Sequence, residues 1–552
     1  MSPTHGASRP SVAWREPGAR RLLGALLLLV VLGLAVRESG ADFGRLLDAR
    51  GLDGARDLLA ALLHPDLSPA TLAHVAGLAG ESLLIGLLGT ALACLMGGAL
   101  AVVAARMPRL VDGPREARAP RLLAESLRLC ARFVLAIFRA VPELVWAFLF
   151  VRIIGLGPGA AVLALGVGYA GAIGKVFAEQ CEAADPGPAR QLRAAGAGRT
   201  AVFLHAVVPQ VARPCLAYAL FRLECAIRSA SILGVVGAGG LGAELELSIR
   251  YFQLERLATL LLAIILLVTA LEVVSAVLRR ARPGLAVALV AGGALVAVLR
   301  LPIAWSDLVA PAAVTQARAF AASLFNPALD TAFLLGALDL ARVTVAMALA
   351  GTLLAALPAL LVAPLAARTA LGHLADPPRG RHAGRLATVA VLAVARALLQ
   401  VSRAVPDLVF ALLFVLCVGP GPLAGVLAIA VHTFGVLGRL YGDALDDADP
   451  RAARALETAG SGRLARLLHA VLPQVAPRLL AFTLYRFEVN VRVAAMVGFV
   501  GAGGLGDAIH TAVSLFHLPE LAALLLVLLA VVVVIDAVGD ALRARAQAAA
   551  WG

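Results

Sequence analysis

The sequence predicts an all-α polytopic membrane protein of about twelve spanning helices, arranged as two tandem, parallel six-helix repeats. Composition carries the first half of that expectation. Hydrophobic residues make up 61% of 552, mean hydropathy is +0.90 and only 15% are charged. Soluble domains carry about 45–50% apolar and about 25% charged residues. A soluble fold this apolar would leave much of its surplus against water, whereas lipid solvates it. A net charge of +13 could suit nucleic acid, but the arginines gather between hydrophobic runs and not along one soluble face. No nucleic-acid role is expected.

The second half of the expectation comes from an internal repeat. Arg139-Ala-Val-Pro142-Glu143 recurs as Arg403-Ala-Val-Pro406-Asp407, an offset of 264. The same offset carries Gly196 to Gly460, Pro209-Gln210 to Pro473-Gln474, and Gly237–Gly242 to Gly501–Gly506. Upstream, Gly89-Thr90 maps to Gly351-Thr352 at an offset of 262, and the difference falls in the Arg-rich stretch between Arg106 and Arg139. Two copies result, 1–282 and 283–552.

Each copy offers six segments near the ~20 apolar residues a bilayer requires. They lie near 21–36, 78–105, 129–153, 159–177, 211–236 and 256–279, then 284–301, 340–367, 389–416, 423–441, 475–500 and 519–542. The first could be read as a signal peptide, but its repeat partner at 284–301 lies mid-chain, so both are expected to be retained helices. The segments 106–128 and 368–385 hold six and four Arg against three acids and one; 37–70 and 302–330 hold four and one against six and two. The positive-inside rule then places the Arg-rich loops and both termini in the cytoplasm. An even span count lets two parallel repeats join through the short Arg279–Pro283 stretch.

Twelve spans in two halves also suit an ion-coupled secondary transporter. The polar segment between the fourth and fifth spans separates the two readings. It reads Arg190-Gln-Leu-Arg-Ala194-Ala-Gly196, twelve residues, then Pro209; in the second copy, Arg454-Ala-Leu-Glu457-Thr-Ala-Gly460, twelve residues, then Pro473. Gly can close a short helix at positive φ, and Pro is tolerated where a helix begins. The product is a compact protrusion that another subunit can grip.

This segment resembles the "EAA" loop of ABC importer permeases, E-A-A-x3-G-x9-I-x-L-P. The strings HAVVPQV and HAVLPQV, with FRLECAIRSASILGVVGAGGLG and LYRFEVNVRVAAMVGFVGAGGLG, are similar to phosphonate-import permeases over nearly all of both copies. The leading Glu of the loop is Arg190 and Arg454 here, and the Ile position is Ala206 and Ala470. The resemblance implies a docking loop for two separate ATPase subunits, which use ATP and Mg, and a substrate-binding protein that delivers the solute. It implies a multi-pass protein of the bacterial inner membrane that carries phosphonate; phosphite, phosphate or another small anion remain alternatives. Whether the fused chain acts alone stays open. No catalytic role, cofactor or metal is expected on the chain: Gly174-Lys175 is followed by Val176, so no phosphate-binding P-loop is present, and there is no H-E-x-x-H.

Charges within spans are costly and should pair or line a water-filled path. Glu224 and Arg228 are i,i+4 neighbours, as are Glu488 and Arg492, and are expected to pair structurally. Arg222 and Arg486 are then left free for the substrate path, where the guanidinium fork matches phosphoryl oxygens. Arg139/Glu143 and Arg403/Asp407 are further i,i+4 pairs, at helices that Pro142 and Pro406 are expected to interrupt; they read as a structural kink device, with a gate role as the alternative. Gly237–Gly242 lacks the βαβ context of a nucleotide fingerprint and is expected to be a close-packing turn. His205, His469 and the six cysteines have no partners at metal-ligand spacing.

Overall fold

The computed structural model describes residues 17–46, 48–106, 118–368 and 382–551. Among them every regular element is helical, and each copy contributes the same ten principal helices, of nine residues or more, in the same order. The first copy runs α1 (Pro17–Ser39), α2 (Ala49–Leu63), α3 (Pro69–Ala104), α4 (Arg118–Ala140) and α5 (Glu143–Ile154). It continues with α6 (Pro158–Glu182), α7 (Pro186–Ala194), α8 (Val208–Leu233), α9 (Gly240–Arg250) and α10 (Leu254–Arg280). The second copy repeats them as α11 (Pro283–Arg300), α12 (Pro311–Leu324), α13 (Thr331–Ala366), α14 (His382–Ala404) and α15 (Asp407–Val418). It ends with α16 (Pro422–Asp446), α17 (Pro450–Thr458), α18 (Leu472–Val497), α19 (Gly504–Ser514) and α20 (Leu518–Trp551).

Nine helices among the described residues are long and apolar enough to cross a membrane, and two bent pairs raise the number to eleven. The remaining expected segment, 21–36, coincides with α1. Much of the two Arg-rich loops used to orient the chain, 107–117 and 369–381, lies outside the described residues.

The third span of the first copy is broken. The axis turns by 92° between Leu122–Ala140 and Glu143–Ile154. Pro142 causes the break, because it cannot donate an amide hydrogen and drives its surroundings toward extended backbone; its own ψ is 148°. Pro406 does the same before α15, with ψ 149°. The stretches between the first and second spans also contain helices that hydropathy did not reveal, α2 and α12.

The copies are interleaved. α1 packs on α13 of the other copy, and α11 packs on α3; α2 reaches α15, and α12 reaches α5. Ala35 of α1 therefore shares a core with Ala337 and Ala341 of α13, and Ala294 and Ala297 of α11 share it with Ile85 and Leu88 of α3. Such reciprocal contact is the signature of a two-fold interface, here formed within one chain. Small residues permit the closest approaches. A Cβ at Gly97 of α3 would lie 2.6 Å from the Ala170 carbonyl oxygen of α6.

Candidate functional site

The first candidate is the polar segment before α8 and its repeat before α18. Asp185 caps α7, accepting from the Gly187 amide at 3.0 Å, and Asp449 caps α17 through the Arg451 amide at 3.0 Å. Each helix ends in a glycine at positive φ, Gly196 at +85° and Gly460 at +77°. The Ala197 amide donates to the Leu192 carbonyl at 3.0 Å, and Ser461 to Leu456 at 2.9 Å, which closes a Schellman turn. Arg190, Ala194, Gly196 and Pro209 are exposed, as are Arg454, Glu457, Gly460 and Pro473. Ala206 and Ala470, at the position where the family pattern has Ile, are buried under the loop.

Pro209 and Pro473 stand in the first turns of α8 and α18, as expected, but the chain before them is already helical. Short helices Arg199–Val202 and Arg463–Arg466 run into them through one π-helical turn each, Phe203–Val207 and Leu467–Val471. The wider turn absorbs the missing proline amide without breaking the axis. Sequence reading passed over what holds the loop in place. Gln210 accepts from the Asp185 amide at 2.9 Å and donates to the carbonyls of Ala206 at 2.7 Å and Asp185 at 3.2 Å. Gln474 donates to Ala470 at 2.7 Å and Asp449 at 3.4 Å. Both glutamines follow the loop proline in the repeat, which was the available signal. Leu204, Leu464 and Leu468 are exposed on the same protrusions, adding an apolar element to a polar surface.

The second candidate is the set of charges inside the helices, and here the expected pairs are corrected. Glu224 does not pair with Arg228; it accepts from Arg279 of α10 at 2.8 Å. Glu488 does not pair with Arg492; it pairs with Arg543 of α20. A neighbouring helix brings a guanidinium closer than the i+4 side chain of the same helix does. Arg139 and Glu143 are separated by the 92° break and do not pair either, nor do Arg403 and Asp407 across Pro406. Instead the arginines cross between copies. Arg139 of α4 meets Asp536 of α20 at 3.1 Å, and Arg403 of α14 meets Glu272 of α10 at 2.5 Å. Gln400 reinforces the latter, donating to Glu272 at 3.0 Å. Glu272 and Asp536 stand at the 264 offset, as do Arg279 and Arg543, so the repeat register contained these partners.

Four arginines remain. Among the described residues Arg222, Arg228 and Arg486 have no carboxylate within 4 Å, and Arg492 reaches only Asp536, at 3.9 Å. Arg222 donates to the Tyr218 hydroxyl at 3.0 Å and lies over the rings of Tyr169 and Tyr218, at 5.1 and 5.5 Å. Arg486 is buried and donates to Thr433 Oγ1 at 3.3 Å. Asn490 joins that threonine, at 3.0 Å, to Thr352, at 2.8 Å.

The glycine loops are close-packing turns. Their backbone donors serve the protein itself, Leu241 to Ser82 Oγ and Leu505 to Thr344 Oγ1, both at 2.9 Å. No group of three or more His, Cys, Asp or Glu residues able to hold a metal occurs among the described residues.

Comparison with known proteins decides the class. The model of the family described as "binding-protein-dependent transport system inner membrane component" matches twice, over residues 119–282 and 383–549. The chain belongs to that family. It is a permease of the ABC importer class, a multi-pass protein of the inner membrane whose role is transport. The phosphate-import permease PhnE of Mycolicibacterium smegmatis is 32% identical over 513 residues, covering 90% of each chain. The phosphite transport system permease PtxC of Stutzerimonas stutzeri is 38% identical over 200 residues, 36% of this permease and 67% of that one. The putative cryptic phosphonate permease PhnE2 of Escherichia coli is 38% identical over 118 residues, 21% of this permease and 97% of its own length. The two family matches begin at α4 and α14, so α1–α3 and α11–α13 lie outside them.

Proposed function

We propose that this permease forms the complete translocation pathway for a phosphorus oxyanion, phosphonate or its close relatives phosphite and phosphate, with the two copies divided at 282/283. The carrying observation is the set of arginines lacking a carboxylate partner at the junction of two interleaved copies. A phosphorus oxyanion bears one or two negative charges, and moving it through hydrocarbon requires groups that replace its water. Arg222 and Arg486 are the proposed path residues. The relatives named for phosphate, phosphite and phosphonate support this substrate class.

The exposed protrusions around Gly196 and Gly460 are proposed to dock two ATPase subunits, which bind and hydrolyse ATP with Mg. Arg190 and Arg454, standing where the family pattern has Glu, would alter the polar part of that contact, with Ala194, Glu457, Pro209 and Pro473 completing the surface. A substrate-binding protein would deliver the anion to the opposite face. This arrangement puts both termini in the cytoplasm.

The test is ATP-driven uptake into proteoliposomes containing the permease, its ATPase and its binding protein. Labelled methylphosphonate, phosphite and phosphate are compared in turn. Uptake of at least one, lost in the Arg222→Gln, Arg486→Gln double variant with the complex still assembled, supports the reading. Full uptake by that variant removes both residues from the path.

A further inference from the structure

The arginines without close partners belong to one partly buried charge cluster at the junction of the copies, with Arg486 and Asp407 its buried members. Glu143 lies within electrostatic range of Arg222 of its own copy and Arg492 of the other. Asp407 lies within range of Arg486 of its own copy and Arg228 of the other. Glu143 and Asp407 also act on one another. Four arginines thus lie within electrostatic range of two carboxylates. The flanking Arg139 and Asp536 cancel, as do Arg403 and Glu272, which leaves an excess of two positive charges.

Unmet hydrogen-bond donors accompany that excess. Arg228 Nε, Arg486 Nε and Arg492 Nη1 are buried and have no acceptor. A buried donor without a partner is disfavoured, and three on guanidinium groups of one cluster point to an anionic acceptor that the protein does not supply.

The two halves of the cluster are not alike. In the second copy Arg486 is joined to neutral hydrogen-bonding groups, Thr433, Asn490 and Thr352, all buried. At the equivalent positions of the first copy, Thr433 is replaced by Tyr169 and Asn490 by Ala226. There Arg222 is already engaged by Tyr218 and two aromatic faces, and Tyr169 is turned to Ser229 at 2.8 Å. Neither Tyr169 nor Ala226 supplies an amide.

We infer that the permease holds a single resident oxyanion site on the second-copy side of the junction, built from Arg486, Thr433 and Asn490 with Arg228 contributed by the first copy. The inference rests on the phosphorus-oxyanion reading above. Arg486 and Arg228 supply charge and fork geometry; Asn490, whose amide donates to Thr352 and Thr433, is a positioning residue that holds Thr433 against Arg486. Arg222 is a passing contact on the route and not part of the resident site. Two fused copies are free to differ, whereas a pair of identical subunits would carry two equal sites.

The test is direct binding of radiolabelled inorganic phosphate to the permease–ATPase complex in nanodiscs, without binding protein or nucleotide, with methylphosphonate as competitor. The expected result is saturable binding of one phosphate per permease chain, displaced by methylphosphonate. Arg486→Gln and Arg228→Gln should weaken it by about tenfold or more, and by more than Arg222→Gln does. Asn490→Ala should weaken it by several fold in a complex that still assembles, and Arg486→Lys should recover part of what Arg486→Gln loses. Two phosphates per chain overturn the inference, as does equal loss from Arg222→Gln and Arg486→Gln. Absence of saturable binding up to about 10 mM, in a complex that still takes up a phosphorus oxyanion, removes the site and leaves the functional reading standing. Failure of uptake for every phosphorus oxyanion, with single-site phosphate binding retained, removes the functional reading instead.

Discussion

Arg403 and Glu272 offer the sharpest test of how the two copies are held together. The pair joins α14 of the second copy to α10 of the first, and each side chain is only 17% exposed. Arg403→Gln would strand Glu272, whose Oε1 is already buried without a partner; Gln400 at 3.0 Å would be its remaining donor. An uncompensated buried charge costs about 3–5 kcal/mol. Glu272→Gln leaves Arg403 better provided, because Gln400 Oε1 accepts from its Nε at 3.0 Å and its Nη2 at 2.7 Å. Its cost should fall below that of Arg403→Gln, near 2 kcal/mol for a charge that keeps hydrogen bonds. Replacing both residues by Gln should restore part of the stability, with a coupling of about 1–3 kcal/mol. The assay is thermal or denaturant unfolding of the four proteins in one detergent. Additive single substitutions, or an Arg403→Gln variant within about 0.5 kcal/mol of the parent, would refute the cross-copy latch.

Three further outcomes follow from the same geometry. A double-mutant cycle at Glu488 should show coupling of about 1–3 kcal/mol with Arg543 and less than about 0.5 kcal/mol with Arg492; the reverse pattern would restore the intrahelical pair. Gly506→Ala should cost about 3 kcal/mol or more, since its Cβ would lie 1.9 Å from the Ala495 carbonyl oxygen, whereas Gly460→Ala meets open space and bears only the ~1–2 kcal/mol of positive φ. Unfolding and membrane yield of the two variants measure this, and equal losses would contradict it. Gln210→Ala with Gln474→Ala should leave global stability within about 2 kcal/mol, yet speed amide exchange over 185–197 and 449–461 and weaken ATPase capture. Unchanged exchange there would show that the glutamines do not brace the protrusions.

What the sequence alone determined is whatever is written locally or repeated. Hydropathy over twenty consecutive residues defines a span without reference to anything else in the chain. The 264 offset needs only comparison of the chain with itself, and the Gly-to-Pro frame of the protrusions needs only spacing. Pro142 and Pro406 announced a discontinuity, because a missing amide acts on the helix that contains it. Tertiary structure decided the partners. Glu224 and Arg228 satisfy the i,i+4 rule, but a second helix brings Arg279 to 2.8 Å, and no pattern within one helix encodes that distance. Arg139 meets Asp536, and α1 lies on α13, because the copies interleave about a two-fold relation. Asn490 and Tyr169 read as unrelated substitutions until the fold sets both beside equivalent arginines. Interactions between groups far apart in sequence depend on packing, so the same repeat that fixes two like folds leaves the chemistry between them to the tertiary structure.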